Sequence, residues 1–240
     1  MVAEPHDRGP FREPERSATS DYETTPTARW TAAGPIRVVG PSQRVEDLAV
    51  QTAATVGDAA PLGLAGFAAA TFTVSTINAG WISSAGLIAC VPILAVFGGI
   101  TQFLAGMWSY RKGDTFAATA FGSFGAFNTL FAAMIVMNQM GTISLTSGPI
   151  VATTGVILAM FALIAAYLAV AATRVSGVLV AVLGVLALTY ALLAIGFFYG
   201  GANGWIVVGG YAGMVASLLA FYASAAIVLN STARQEMLPF

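Results

Sequence analysis

The sequence predicts an all-α integral membrane protein with six transmembrane helices per protomer. Three observations carry that reading. Apolar residues make up 57% of the 240 residues and charged residues only 9%, with a mean hydropathy of +0.79; soluble domains of this size carry roughly a quarter charged residues. The charge is also segregated: six of the ten basic and nine of the eleven acidic residues lie at or before Asp58. Beyond it the only charged residues are Arg111, Lys112, Asp114, Arg174, Arg234 and Glu236. Such a stretch cannot build a water-facing surface but suits hydrocarbon. Finally, it divides into six apolar windows, none of which contains Asp, Glu, Lys, Arg or His.

Residues 1–57 precede the windows. Pro5, Pro10, Pro14, Pro26, Pro35 and Pro41 stand there among charged and hydroxyl residues. That composition cannot bury enough apolar surface to offset chain entropy, so a disordered tail is expected. No apolar run follows the first charges, as a cleavable signal peptide would need. Val45, Leu48, Ala49 and Thr52 recur at helical spacing. They read either as a short interfacial helix or as plain linker.

The six windows are Leu62–Gly80, Leu87–Tyr110, Phe116–Met137, Ile150–Ala172, Val178–Phe198 and Trp205–Leu229. Each is near the ~20 residues a span requires, and the gaps carry the Gly, Ser, Asn and charge of turns. The six windows lie within a domain over 58–230, with a short C-terminal segment over 231–240. Arg111 and Lys112 fall after the second window, Arg174 after the fourth and Arg234 after the sixth, while the alternate loops hold no basic residue. The positive-inside rule then places both termini in the cytoplasm, and the plasma (inner) membrane is the expected location. Trp81, Trp108 and Trp205 mark span ends, where aromatic belts form.

Polar side chains within the windows must face other helices or a water path. Thr71, Ser75 and Asn78 share one face of the first span, with Phe67 a turn away. The second span carries Gln102 with Gly98 and Gly106 four residues to either side, which permits close backbone approach around a buried amide. The third carries Thr119, Ser123 and Asn128, the last one turn from Phe124. Thr189 and Tyr190 follow in the fifth span, and Ser217, Tyr222 and Ser224 in the sixth. The fourth is polar only near its entrance, at Thr153 and Thr154, as a peripheral helix would be. These groups read in two ways. Hydroxyls can line a pore, or they can tie helices together and bond to their own backbone. For Gln102 and Asn78 the pore reading is preferred, because an unused carboxamide deep in a span is the larger cost. Gly209/Gly213 and Gly196/Gly200 have the spacing of close helix packing.

Several function classes are excluded by what is missing. There is no intramembrane carboxylate for a proton relay, no nucleotide loop and no catalytic triad. No basic patch indicates a nucleic-acid partner. Cys90, the single cysteine, supports neither an intrachain disulfide nor a cysteine-based metal site. No cofactor, metal or enzymatic activity is expected. A polar, aromatic-gated pathway suits a small solute held weakly enough to leave again.

The segment Ala60-Pro61-Leu62-Gly63-Leu64 with Gly66-Phe67 resembles the signature of the acetate uptake transporters, the succinate–acetate permeases. So do Gly98-Gly99-Ile100-Thr101-Gln102 with Ala105-Gly106, Gly113-Asp114-Thr115-Phe116 with Thr119-Ala120-Phe121, and Ala191 to Gly196. Val228-Leu229-Asn230 also fits, and the likeness covers residues 58–240. It implies a homo-hexamer of six-helix protomers in the bilayer, each with its own path for acetate and related small carboxylates. It further implies a narrowing formed by Phe67, Phe124 and Leu186, with Gln102 and Asn78 as motif amides and Ala220 tuning substrate size. The sequence departs from the family pattern at Asp58 and Ala59, which stand for Asn-Pro. Phe124 stands for a frequent tyrosine, Asn128 for a frequent tryptophan, and Ile77 for an occasional histidine. Asp58, Pro61, Leu62, Gly63 and Leu64 are expected to build and cap the cytoplasmic mouth. Beside passage of acetate, two readings stand: a channel for a small neutral solute such as ammonia or urea, and a structural or signalling membrane protein working through its tail.

Overall fold

The structure is a computed structural model that describes residues 57–240. The expected tail, apart from Gly57, and the interfacial helix near Val45 lie outside the described residues. Among those described, every regular element is helical, and six helices are long and apolar enough to cross a membrane. They are α1 (Ala60–Asn78), α2 (Ile93–Arg111), α3 (Thr115–Gln139), α4 (Gly148–Ala172), α5 (Gly177–Phe198) and α6 (Gly204–Ala233). The chain forms a multi-pass membrane bundle. Hydrophobic residues such as Val96, Leu163 and Leu218 are more than half exposed around it, as a lipid-facing surface requires.

Helix boundaries follow local chemistry. Pro61 occupies the first turn of α1, where a missing N–H costs nothing. Asp114, Ser176 and Asn203 cap α3, α5 and α6 by accepting backbone N–H groups, as short polar side chains do at helix starts. The second span begins later than expected. Ser84–Cys90 forms a tight 3₁₀ segment and the long helix starts only beyond Pro92. Proline cannot donate into a preceding turn, so it restarts the helix there. From Ile93 to Thr101 this helix is a wide π-helix, which tightens to α geometry from Gln102.

Packing runs round a ring: α3 lies against α2, α2 against α1, α1 against α6, α6 against α5 and α5 against α4. The closing seam between α3 and α4 is thin. Aromatic rings fill it, with Phe127 and Phe161 centred 4.6 Å apart. α4 is the most peripheral span, with 28% of its window buried against 44% for α1 and α6.

Small residues bring the helices together. A Cβ on Gly106 would lie 2.8 Å from the Gly122 nitrogen of α3. One on Gly209 would lie 2.8 Å from the Leu193 side chain, and one on Gly213 would strike the Ser75 hydroxyl. The Gly209/Gly213 spacing therefore packs α6 against α5 and α1. Gly196 and Gly200 do not act as a pair. Gly196 admits Ile206, whereas Gly200 has no neighbour near its Cβ position and serves the turn after α5 with φ +97°.

Candidate functional site

Two cavities lie on the bundle axis and share no lining residue. The larger, about 340 Å³, opens on the end that carries the start of α1, the α2–α3 and α4–α5 loops and the end of α6. The smaller, about 60 Å³, lies toward the opposite end, between Thr71, Ser75 and Asn78 of α1 and Thr189 and Tyr190 of α5.

The inner wall of the larger cavity includes Phe67, Phe124 and Leu186. All three are buried, Leu186 fully, and the two rings are centred 5.9 Å apart. One helical turn further along the same helices stand Thr71, Asn128 and Tyr190, which line the smaller cavity. The barrier is thus two-layered, apolar on one side and polar on the other, about 6 Å thick from the rise of four helical residues. Tyr190 was recognised in the sequence only as a polar residue of the fifth span. Its position four residues beyond Leu186 is the signal that places it in the second layer.

Gln102 is 1% exposed and reaches the larger cavity from α2. Asn128 donates through Nδ2 to the Gly98 carbonyl at 3.1 Å and to Gln102 Oε1 at 3.2 Å. Gly98 makes the approach possible: a Cβ there would strike the Ala70 methyl and sit 3.1 Å from the Asn128 carboxamide. No buried side-chain nitrogen or oxygen among the described residues lacks a partner.

Most other hydroxyls within the spans bond back to their own helices. Thr73, Ser109, Thr119, Thr129, Thr154, Thr189 and Ser217 each donate to a carbonyl four residues earlier. Thr71 and Ser75 face the smaller cavity instead. Ala220 is fully buried in the packed core and lines neither cavity.

The signature segment sits at the mouth of the larger cavity. Asp58 accepts from the Ala60 N–H and pairs with Lys112 at 3.4 Å. This pair is solvent-accessible and contributes little stability. The Pro61 carbonyl accepts from Ser224 of α6 at 2.7 Å. A Cβ on Gly63 would lie 2.7 Å from the Phe121 ring, and Leu64 lines the cavity while Leu62 points outward. Asp114 also lines the mouth, but its carboxylate is committed to the Ala117 N–H. Sequence reasoning missed the part played by Asn230. Its carboxamide accepts from Met237 and Leu238 N–H and donates to the Leu238 carbonyl, while Tyr222 donates to the Pro239 carbonyl. The last described residues therefore fold back, and Phe240 joins the mouth. Val228-Leu229-Asn230 was visible as a motif, but nothing in its spacing showed a clasp.

Residues 42–239 match the GPR1/FUN34/yaaH family. Over 90 residues the chain is 40% identical to the succinate-acetate/proton symporter SatP of Escherichia coli strain K12, covering 38% of this chain and 45% of that protein. Acetate permease A of Emericella nidulans is 42% identical over 76 residues, 32% of this chain and 26% of the permease. The ammonia transport outward protein 2 of Saccharomyces cerevisiae is 39% identical over 80 residues, 32% and 27% of the two chains. The chain thus spans less than half the length of these curated relatives in each match. A solved structure, that of the bacterial acetate channel SatP, superposes with a TM-score of 0.71 at 31% identity, covering 78% of this chain and 99% of that one.

Proposed function

The chain belongs to the GPR1/FUN34/yaaH family, and from that premise we propose that it carries acetate and related small monocarboxylates, and the dicarboxylate succinate as well, across a membrane. One observation supports this most directly: two axial cavities end on opposite faces of a thin barrier that has an apolar layer and an amide-and-hydroxyl layer. A carboxylate shedding water at Phe67, Phe124 and Leu186 would find the Gln102 amide in its place. Weak replacement of this kind is what permeation needs, since the solute must also leave. None of the six spans holds a side-chain carboxylate or histidine. Flow is therefore passive, or coupled through a proton travelling on the acid itself.

The same reading gives the chain an orientation and an assembly. Arg111 ends α2, and Lys112, Arg174 and Arg234 follow α2, α4 and α6; this supports turning the larger cavity toward the cytoplasm of a plasma (inner) membrane. The transport unit is 58–230, flanked by a cytoplasmic tail over 1–57 and a short cytoplasmic segment over 231–240. It works as a homo-hexamer with one path per protomer, which native mass spectrometry in detergent checks.

The deciding experiment is uptake of labelled acetate by liposomes holding the full chain, with and without a pH gradient. Saturable uptake, inhibited by excess unlabelled short monocarboxylates and indifferent to urea, supports the proposal. The likeness to a protein named for ammonia transport favours a second reading, passage of a small neutral nitrogen compound. Methylammonium uptake without acetate uptake would establish that reading and overturn the first.

A further inference from the structure

Resting on the transport reading above, we propose that Asn128 is a positioning residue that turns the Gln102 carboxamide with its nitrogen toward the larger cavity. The orientation follows from elementary hydrogen-bond capacity. The Gly98 carbonyl can only accept, so the Asn128 group 3.1 Å from it must be the amide nitrogen. That nitrogen carries two hydrogens. The second meets Gln102 at 3.2 Å, and the Gln102 atom there must in turn be the oxygen. One backbone carbonyl thereby fixes both side-chain amides.

The consequence lies at the other end of Gln102. Its oxygen is committed, and its nitrogen has no acceptor among the described residues. Since no fully buried side-chain nitrogen there lacks a partner, this one is reached through the larger cavity that Gln102 lines. Its N–H donors are then the groups that Gln102 can offer to a solute arriving at Phe67, Phe124 and Leu186. Donors complement a carboxylate and offer nothing to an ammonium ion. Asn128 itself lines the smaller cavity on the opposite side. The barrier therefore discriminates by the direction of an amide, although no ionised residue stands in it.

The test is a double-mutant cycle on the full chain in liposomes, reading the half-saturating acetate concentration, the maximal rate and the ratio of acetate to methylammonium uptake. Asn128→Leu frees the Gln102 amide to turn its oxygen outward. It is expected to raise the half-saturating acetate concentration about tenfold, the low end for losing a hydrogen bond to a charged group, and to lower the acetate-to-methylammonium ratio. Asn128→Ser, too short to bridge Gly98 and Gln102, should do the same and stands in if the leucine variant does not fold. In a Gln102→Leu background, Asn128→Leu should add no more than about twofold, because its effect passes through the glutamine. Full additivity, or an unchanged ratio in both Asn128 variants, would show a packing role and overturn the inference while leaving acetate transport standing. No acetate uptake by the unmodified chain would overturn both.

Discussion

The two cavities differ in more than size. The larger, about 340 Å³, is walled chiefly by apolar groups such as Leu64, Phe121, Val182 and Leu183, with polar side chains at its mouth and Gln102 at its inner end. The smaller, about 60 Å³, also has a largely apolar wall, including Val74, Leu94 and Phe131, but sets Thr71, Ser75, Asn78, Asn128 and Tyr190 around a space no larger than a few waters. A wide apolar vestibule leaves a solute with its own water. A narrow one with polar groups in reach must supply the hydrogen bonds that water no longer can. On the transport reading, the amides and hydroxyls would act at and beyond the barrier, where the space between the helices narrows.

That comparison breaks most readily at the amide on its boundary. Gln102→Ala removes a donor facing an anion in a dry layer. Hydrogen bonds to charged groups contribute about 1.5–3 kcal/mol, so acetate uptake should fall roughly ten- to a hundredfold. Uptake within a factor of two of the unmodified chain would take Gln102 out of the path. Phe67→Trp addresses the apolar layer instead. Phe67 is 3% exposed and meets Phe124 closely. A larger ring there is overpacked at a cost of about 1–3 kcal/mol, and flux should drop about tenfold with the hexamer or monomer elution unchanged. Passage at full rate would mean that the solute does not cross this layer.

The residues involved differ in how far sequence could reveal them. The six spans were legible because charge is absent for long runs, a signal that needs no packing knowledge. The start of α2 was not, since Leu87–Cys90 is as apolar as the helix it precedes and only Pro92 and the 3₁₀ turns distinguish it. Phe67, Phe124 and Leu186 came from motif resemblance, and no periodicity joins three residues on three helices. Asn128 and Gln102 were each conspicuous as amides in apolar runs. That they meet depends on Gly98 admitting α3 to within hydrogen-bonding distance, a contact between positions 30 residues apart. Ala220, offered by the same resemblance, packs away from both cavities.

Beyond the barrier the expected effects become smaller. Asn78→Ala removes a neutral amide from the far end of the smaller cavity. A net hydrogen bond of ~1 kcal/mol corresponds to about a fivefold change. The half-saturating acetate concentration should rise by that factor, and more steeply than for a change in the outer apolar wall of the larger cavity such as Leu64→Val. Equal effects of the two substitutions in parallel uptake assays would erase the distinction drawn between wide and narrow regions.

The smallest effect is expected from removing residues 1–57. Among the described residues, the mouth of the larger cavity is assembled from Asp58, Asp114, Asn230 and Phe240, and contacts within the retained chain hold it: Asp58 with Lys112, Pro61 with Ser224, and Asn230 with Leu238. Among the described residues, the barrier is built from α1, α2, α3 and α5. Acetate uptake should stay within about twofold, the ~0.5 kcal/mol typical of changes away from a functional feature. A tenfold loss with normal insertion and assembly would make the tail part of the transport machinery. The wide vestibule would then be only one section of a longer entrance, and its apolar wall would no longer describe where a solute first meets the protein.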